Sequence, residues 1–428
     1  MAERIAVLTL QRLGDVLTAA RVTDALAQRR STASLELVHF DATAQAAALL
    51  PGVAARHALP FGGLRRLGRT HPIAALSAFA EHIAAIVDGG GFDTVVNLSS
   101  TRFACWLAPA LLAPGGRVRG PWIDDRGQYV ADHPMLAYLN DWGSDPRLCV
   151  FAHQDLYAAA VPVRIAGFGG LRQHDSRRTG PIVVHVHGSE RAKDWRSHAD
   201  WAALVGELQT RCARPCVLVG APEEADALAA IAAPSGAHVY PAPLAACVDL
   251  LAEASGLVAV DTVSIHLAAA VGCPSVVLRQ GPAGGYAFVP GPHALLVDAG
   301  REHATVADVV ALCSAHFFGS LPTAATATAI AGRVRVRQAW ADDHGWLGLR
   351  APSWCPGDAM AAEDDRCDER WRSLWRQSFA GQLPGDRELD ELFAGAGRHE
   401  EARRAALLGS GTLVGTRARA RMQTRSAA

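Results

Sequence analysis

The chain is nearly devoid of lysine: of the 41 basic residues in 428, all but Lys193 are arginine. Arginine offers a planar fork, lysine a compact ammonium on a flexible stem, so one retained lysine marks a place where a point charge suits better. Net charge is also lacking, at -1, and this removes any global field that would draw nucleic acid or an anionic surface. Any anion must therefore be held locally, and no nucleic-acid partner is expected. Apolar runs approaching the roughly 18 residues of a membrane span are missing as well, so no span is expected and any contact with the inner membrane would be peripheral. The nine cysteines are odd in number and form no framework, which fits free thiols in a reducing compartment. Met-Ala-Glu-Arg runs straight into the apolar Ile5-Ala-Val-Leu8, without the basic and long apolar regions of a signal peptide. A cytoplasmic protein is expected.

What is present is an alternation of short apolar runs with helical stretches, the pattern of parallel sheets covered on both faces. The fold class is α/β. Strands are expected at Ile5 to Leu10, Leu35 to Phe40, Arg56 to Leu59, Thr94 to Leu98 and Val118 to Pro121, with helices at Asp15 to Arg29, Ala42 to Leu50, Pro72 to Val87 and Arg102 to Leu112. After an irregular stretch, Asp124 to His174, strands resume at Ile182 to His187, Cys216 to Val219, His238 to Tyr240, Leu257 to Val260, Ser275 to Leu278 and Ala294 to Val297. Helices at Ala199 to Arg211, Glu223 to Ala232, Ala245 to Ala254, Ser264 to Val271 and Val306 to Ala315 connect them. The expected organisation is a first doubly wound unit over 1–165, a linker over 166–180, and a second unit over 181–320. A helical extension follows over 321–428, with a disordered end and half of the ten tryptophans between Trp340 and Trp375. Two such units face a cleft, and ligands bind beyond the carboxyl ends of their strands.

Three segments carry chemistry. Gln11-Arg-Leu-Gly14-Asp15 turns from the first strand into a helix, whose N-terminal N–H groups suit an anion or polar substrate. It has one glycine where the dinucleotide fingerprint needs three, which argues against a nicotinamide or flavin enzyme. Asp15 either caps this helix or serves as a general base. In the second unit, the strand ending at His187 leads to Ser189 and Lys193, placed to meet phosphate oxygens; lone histidines such as His185 are more often structural. Asp261-Thr262-Val263-Ser264 with His266 then brings hydroxyls, an imidazole and helix N–H groups to one point, a phosphate site unless Asp261 or Thr262 merely caps the helix.

These segments, with the loop Val219-Gly-Ala-Pro-Glu223-Glu224 and Gly272-Cys-Pro-Ser, resemble bacterial glycosyltransferase family 9, the lipopolysaccharide heptosyltransferases, over about Arg4 to Ala315. The resemblance implies the GT-B fold and metal-independent, inverting transfer of heptose from an ADP-heptose donor, without a cofactor, to a lipopolysaccharide core saccharide. It implies Asp15 as the base, Lys193 and one of Glu223 and Glu224 on the ADP, and Thr262, Val263 and His266 around the diphosphate. The chain departs from the pattern at Val263, where the family usually has glycine, and at His185-Val-His-Gly188, which lacks the usual proline. Similar proteins glycosylate adhesins and carry a cysteine-rich metal element in a C-terminal extension; here Cys355 and Cys367, with His344, Asp364, Asp365 and His399, form a sparse version that ordinary thiols explain as well. A protein acceptor, a nucleotide-sugar epimerase and a non-catalytic binding module are the alternative readings.

Overall fold

The structure is a computed structural model and describes residues 2–29, 32–131, 133–143, 145, 147–159, 161, 178–188, 190–280, 286, 289–298, 304–342, 345–355, 357, 359–380, 382, 384–395, 399–410, 412, 414–415 and 417–419. Ser189, His344, most of the expected linker and residues 420–428 lie outside them.

The first sheet comprises β1 (Arg4–Thr9), β2 (Ser34–Phe40), β3 (Ala55–Leu59), β4 (Phe92–Asn97) and β5 (Leu112–Arg119). Its order is β3-β2-β1-β4-β5, with every pairing parallel and Val7 set between Leu37 and Val96. Ile5 and Val7 point to one face and Ala6 and Leu8 to the other, and all four are buried, which explains why the run is apolar throughout. A small hairpin, β6 (Pro121–Ile123) and β7 (Tyr129–Ala131), and helices Pro134–Trp142 and His153–Ala159 occupy the stretch that looks irregular in sequence.

The second sheet has eight strands, β8 (Ile182–His185), β9 (Cys216–Gly220), β10 (His238–Pro241), β11 (Gly256–Val260), β12 (Ser275–Arg279), β13 (Ala294–Asp298), β14 (Arg335–Ala341) and β15 (Leu347–Arg350). Its order is β10-β9-β8-β11-β12-β13-β14-β15, parallel through β13 and antiparallel for the last two strands. The sheet therefore continues past residue 320, where a helical extension was expected. Three helices follow, Ala359–Phe379, Asp386–Ala394 and Glu400–Gly409. The first carries Trp371 and Trp375 back to the first unit, where Trp375 meets Trp142 and Tyr138 at ring distances of 4.7 and 5.0 Å. One buried cluster consequently contains Val7 of β1, Val277 of β12 and both tryptophans. Among the described residues no helix is long and apolar enough to cross a membrane.

Two helical details differ from the sequence reading. The single helix expected from Asp15 to Arg29 is two, Leu13–Thr18 and Ala20–Arg29, and the Thr18 hydroxyl donates to the Asp15 carbonyl at 2.6 Å just before the break. A helix at Phe61–Thr70 was not expected, because Gly62, Gly63 and Gly68 lower its intrinsic propensity.

Candidate active site

Asp15 stands beyond the carboxyl end of β1, the central strand of the first sheet, in the first turn of helix Leu13–Thr18. Its Oδ2 accepts the backbone N–H of Arg12 at 3.2 Å, so the carboxylate holds the turn open at the cleft. That bond uses one oxygen, and the capping role leaves the carboxylate half-exposed. Gly14 lies against His266 of the second unit: a Cβ at residue 14 would stand 2.6 Å from the ring Cδ2 and 2.9 Å from Nε2. Glycine is required here for close approach of the two units.

Across the cleft, β8 and β11 are neighbours at the point where the strand order of the second sheet reverses. Lys193 follows β8 and Asp261 follows β11, so the crevice between them brings the two side chains together: Lys193 Nζ donates to Asp261 Oδ2 at 2.7 Å. Helix Val263–Ala270 starts at the same place. Its N-cap, Thr262, is extended and makes no side-chain capping bond, which leaves the hydroxyl for another partner. His266, in the first turns, is half-buried, and desolvation is the main force holding its imidazole below the usual histidine range. Asp15 and Asp261 oppose that shift and Lys193 adds to it, so all three charges lie within electrostatic reach of one ring. The buried His266 Nδ1 and Ser264 Oγ have no hydrogen-bond partner among the described residues, an arrangement that a polar ligand would satisfy. Leu17, Thr18, Arg21, Gln154, His266 and Pro290 line a small cavity beside this point.

A carboxylate on one wall and an ammonium, an imidazole and helix N–H groups on the other suit removal of a proton on one side and stabilisation of an anionic leaving group on the other. Residues 153–279, which hold Lys193, Asp261 and His266, match the family model described as glycosyltransferase family 9 (heptosyltransferase). The match takes in the site of the second unit and stops short of Asp15. None of the curated proteins matches it. Among solved structures, the E. coli heptosyltransferase WaaC with ADP aligns with a TM-score of 0.56 at 19% identity, covering 73% of this chain and 99% of that one. The glycosyl transferase family 9 protein from Veillonella parvula gives 0.53 at 13%, covering 74% and 98%, and the E. coli ADP-heptose lps heptosyltransferase II gives 0.50 at 18%, covering 74% and 99%. These likenesses establish the GT-B arrangement of the two facing units. The expected GT-B fold is thereby shown, and the expected family and enzyme class, a glycosyltransferase, are supported by the match over residues 153–279.

The residues singled out in sequence do not all behave alike. Asp15, Lys193, Asp261 and His266 come together, with Thr262 at the same helix start. Val263 is partly buried and packs against the core, so its branched side chain is turned to structural use. Glu224 accepts the Ala221 N–H at 2.7 Å and acts as a local cap, while Glu223 is exposed; both follow β9, next to the strand that leads to Lys193. Ser189 is outside the described residues. Cys355 packs in the core of the second sheet with its thiol donating to Ala327 O, whereas Cys367 bonds Glu363 on the long C-terminal helix. Among the described residues no group of three or more metal-ligating side chains stands together. Sequence reasoning missed Tyr157, a buried residue whose hydroxyl receives the Gln11 amide at 3.2 Å and which lies within electrostatic reach of Asp15. Its position in the irregular stretch gave no periodic signal. Also missed was the exposed pair of Arg12 and Glu190, 2.8 Å apart across the cleft.

Proposed function

We propose that the chain transfers a heptose from ADP-heptose, with inversion and without a cofactor, to a saccharide hydroxyl of the lipopolysaccharide core, in the cytoplasm. The observation that supports this reading best is the convergence of Asp15 from the first unit with Lys193, Asp261 and His266 from the second around one narrow gap. In the reaction Asp15 takes the proton of the acceptor hydroxyl as its oxygen attacks the anomeric carbon. The bond from that carbon to the diphosphate oxygen breaks, and its electron pair leaves with ADP. Lys193, with the helix N–H groups near Thr262 and Val263, meets the charge developing on the diphosphate. Single displacement needs one carboxylate behind the acceptor, unlike the carboxylate pair of a retaining hydrolase. The Lys193–Asp261 contact holds the ammonium in place before the donor arrives, so little reorganisation is required.

The test is transfer from ADP-heptose to a lipopolysaccharide core acceptor, followed by mass spectrometry, with Asp15→Asn alongside. The substitution should lower turnover by about 100-fold or more while ADP affinity by calorimetry stays within about twofold. Full turnover in the variant would remove Asp15 from the base role. Conversion of donor without acceptor would identify an epimerase instead, and transfer to an adhesin serine but no saccharide would identify a protein heptosyltransferase.

A further inference from the structure

The strand order of the first sheet reverses between β1 and β4, and in such sheets the crevice beyond the two strand ends is where a ligand sits. The chain leaving β1 reaches Gln11 there, and the chain leaving β4 reaches Ser99 and Ser100. The two turns are tied together, because the Leu10 N–H donates to Ser99 Oγ at 2.9 Å. Tyr157, buried on helix His153–Ala159, serves both: its hydroxyl accepts the Gln11 amide at 3.2 Å and lies within hydrogen-bonding reach of Ser100. That bond sets the direction of the Gln11 amide. With Nε2 turned to the phenol, Oε1 is turned away and takes no hydrogen bond among the described residues. Gln11 is half-buried, and Asp15 follows in the same turn with its carboxylate on the Arg12 N–H. Tyr129 of β7, 36% exposed, lies within electrostatic reach of Tyr157 and brings a second phenol to this side of the cleft.

We propose that Gln11, oriented by Tyr157, reads the acceptor, and that the ring it selects is a neutral, hydroxyl-bearing sugar rather than an acidic one. The inference rests on the transfer reading given above and names the class of saccharide that reaches Asp15. A ring whose hydroxyl gives its proton to Asp15 lies over the crevice between β1 and β4. There Gln11 Oε1 is an acceptor alone, so a ring hydroxyl donates to it, whereas a carboxylate or phosphate meets an opposing lone pair. Gln11, Ser99, Ser100 and Tyr157 supply an amide and hydroxyls to the crevice and no cation. Arg12, next along the chain, spends its guanidinium on Glu190 at 2.8 Å, so an acidic ring would have to compete for it. The exposed ring of Tyr129 adds an apolar face edged by a hydroxyl, which suits the alternating faces and hydroxyls of a sugar. Gln11 thus touches substrate, and Tyr157 acts through it as a positioning residue.

Two synthetic disaccharides that differ in the terminal ring, one ending in heptose and one in a uronic acid, would be titrated into the full chain with ADP bound, and each would also be offered with ADP-heptose. The heptose-ended disaccharide should bind about tenfold or more tightly than the uronate. Gln11→Ala should weaken its binding by about tenfold and Tyr157→Phe by about fivefold, and in turnover the loss should fall on the acceptor KM rather than on kcat. ADP affinity within about twofold of the wild type in both variants would show that the fold is retained, which a merely structural role for Tyr157 would not give. Equal or tighter binding of the uronate would overturn the proposal. So would binding of neither disaccharide, or an unchanged affinity for the heptose-ended one in Gln11→Ala. A preference for the neutral ring without any transfer would support the proposal and remove the transfer reading, so the two fail separately.

Discussion

At the scale of single residues the site rests on a few close approaches that sequence shows as types and the structure shows as distances. Asp15 stands out in sequence as a carboxylate just after the first strand and Lys193 as the one lysine, yet nothing there reveals that Asp261 holds the lysine at 2.7 Å. Lys193→Ala should therefore act on the donor rather than on the fold, lowering ADP affinity by about tenfold or more in calorimetry. Gly14 makes a sharper case: Gly14→Ala would drive a methyl against the His266 ring, at 2.6 Å from Cδ2, and neither backbone can retreat freely. A loss of about 1–3 kcal/mol in urea unfolding is expected, accompanied by weakened donor binding. His185 offers a pH signature. Burial, with the His187 charge second, lowers it from 6.5 to about 4, and its Nδ1 has no hydrogen-bond partner among the described residues. Between those values the unfolded chain takes up a proton that the folded chain refuses, so stability falls as pH drops from 6.5 towards 4, by roughly 3 kcal/mol in all. His185→Leu should flatten that part of the stability curve in denaturant titrations; an unchanged slope would assign the acid sensitivity elsewhere.

At the scale of elements, the strands read most directly. β1 and β11 are buried on both faces, and a run without polar interruption is the record of that burial in the sequence. β14 is different. It falls in the stretch expected to be helical, since the acid that makes it a buried strand, Asp298, lies far away in sequence at the end of β13. Asp298 takes Arg337 at 2.8 Å and Arg279 at 2.6 Å. Burial alone would raise its pKa, but the two arginines overcome this and hold the carboxyl at about 2 instead of 3.8. Its contribution is complete above the ordinary carboxylate range and is lost as pH falls from about 4 towards 2, amounting to roughly 2 kcal/mol. Asp298→Asn removes the carboxylate at every pH and leaves two buried guanidiniums facing a neutral amide. The expected loss is about 3–5 kcal/mol, measured by urea unfolding at neutral pH, with an acid limb shallower than in the wild type.

At the scale of the molecule, the crowded tryptophans signalled an apolar surface in need of a partner, and the sequence could not say which. The partner is the first unit. Trp371 and Trp375 reach Trp142, and Arg21 of the first unit pairs with Asp155 at 3.2 Å while the other Asp155 oxygen accepts the N–H of Leu347 in β15. Chain segments more than 300 residues apart thus close on one carboxylate, a contact of Arg21 with Gly345 O at 3.3 Å among them. Periodicity reports what an element buries, and pairings over such separations leave no trace in it. The consequence is mechanical: two sheets that could in principle unfold separately share one buried cluster through the C-terminal helices. Trp375→Ala opens a cavity in the middle of that cluster, where the ring packs edge-on against both Trp142 and Tyr138, and should cost about 3–5 kcal/mol. More telling than the size of the loss is its form. The wild type should unfold with coincident transitions by circular dichroism and tryptophan fluorescence, because neither unit keeps its core without the strap. The variant should separate them, the first unit melting before the second. If Trp375→Ala shifted a single coincident transition by a degree or less, the C-terminal helices would be a covering for the enzyme rather than the element that joins its halves.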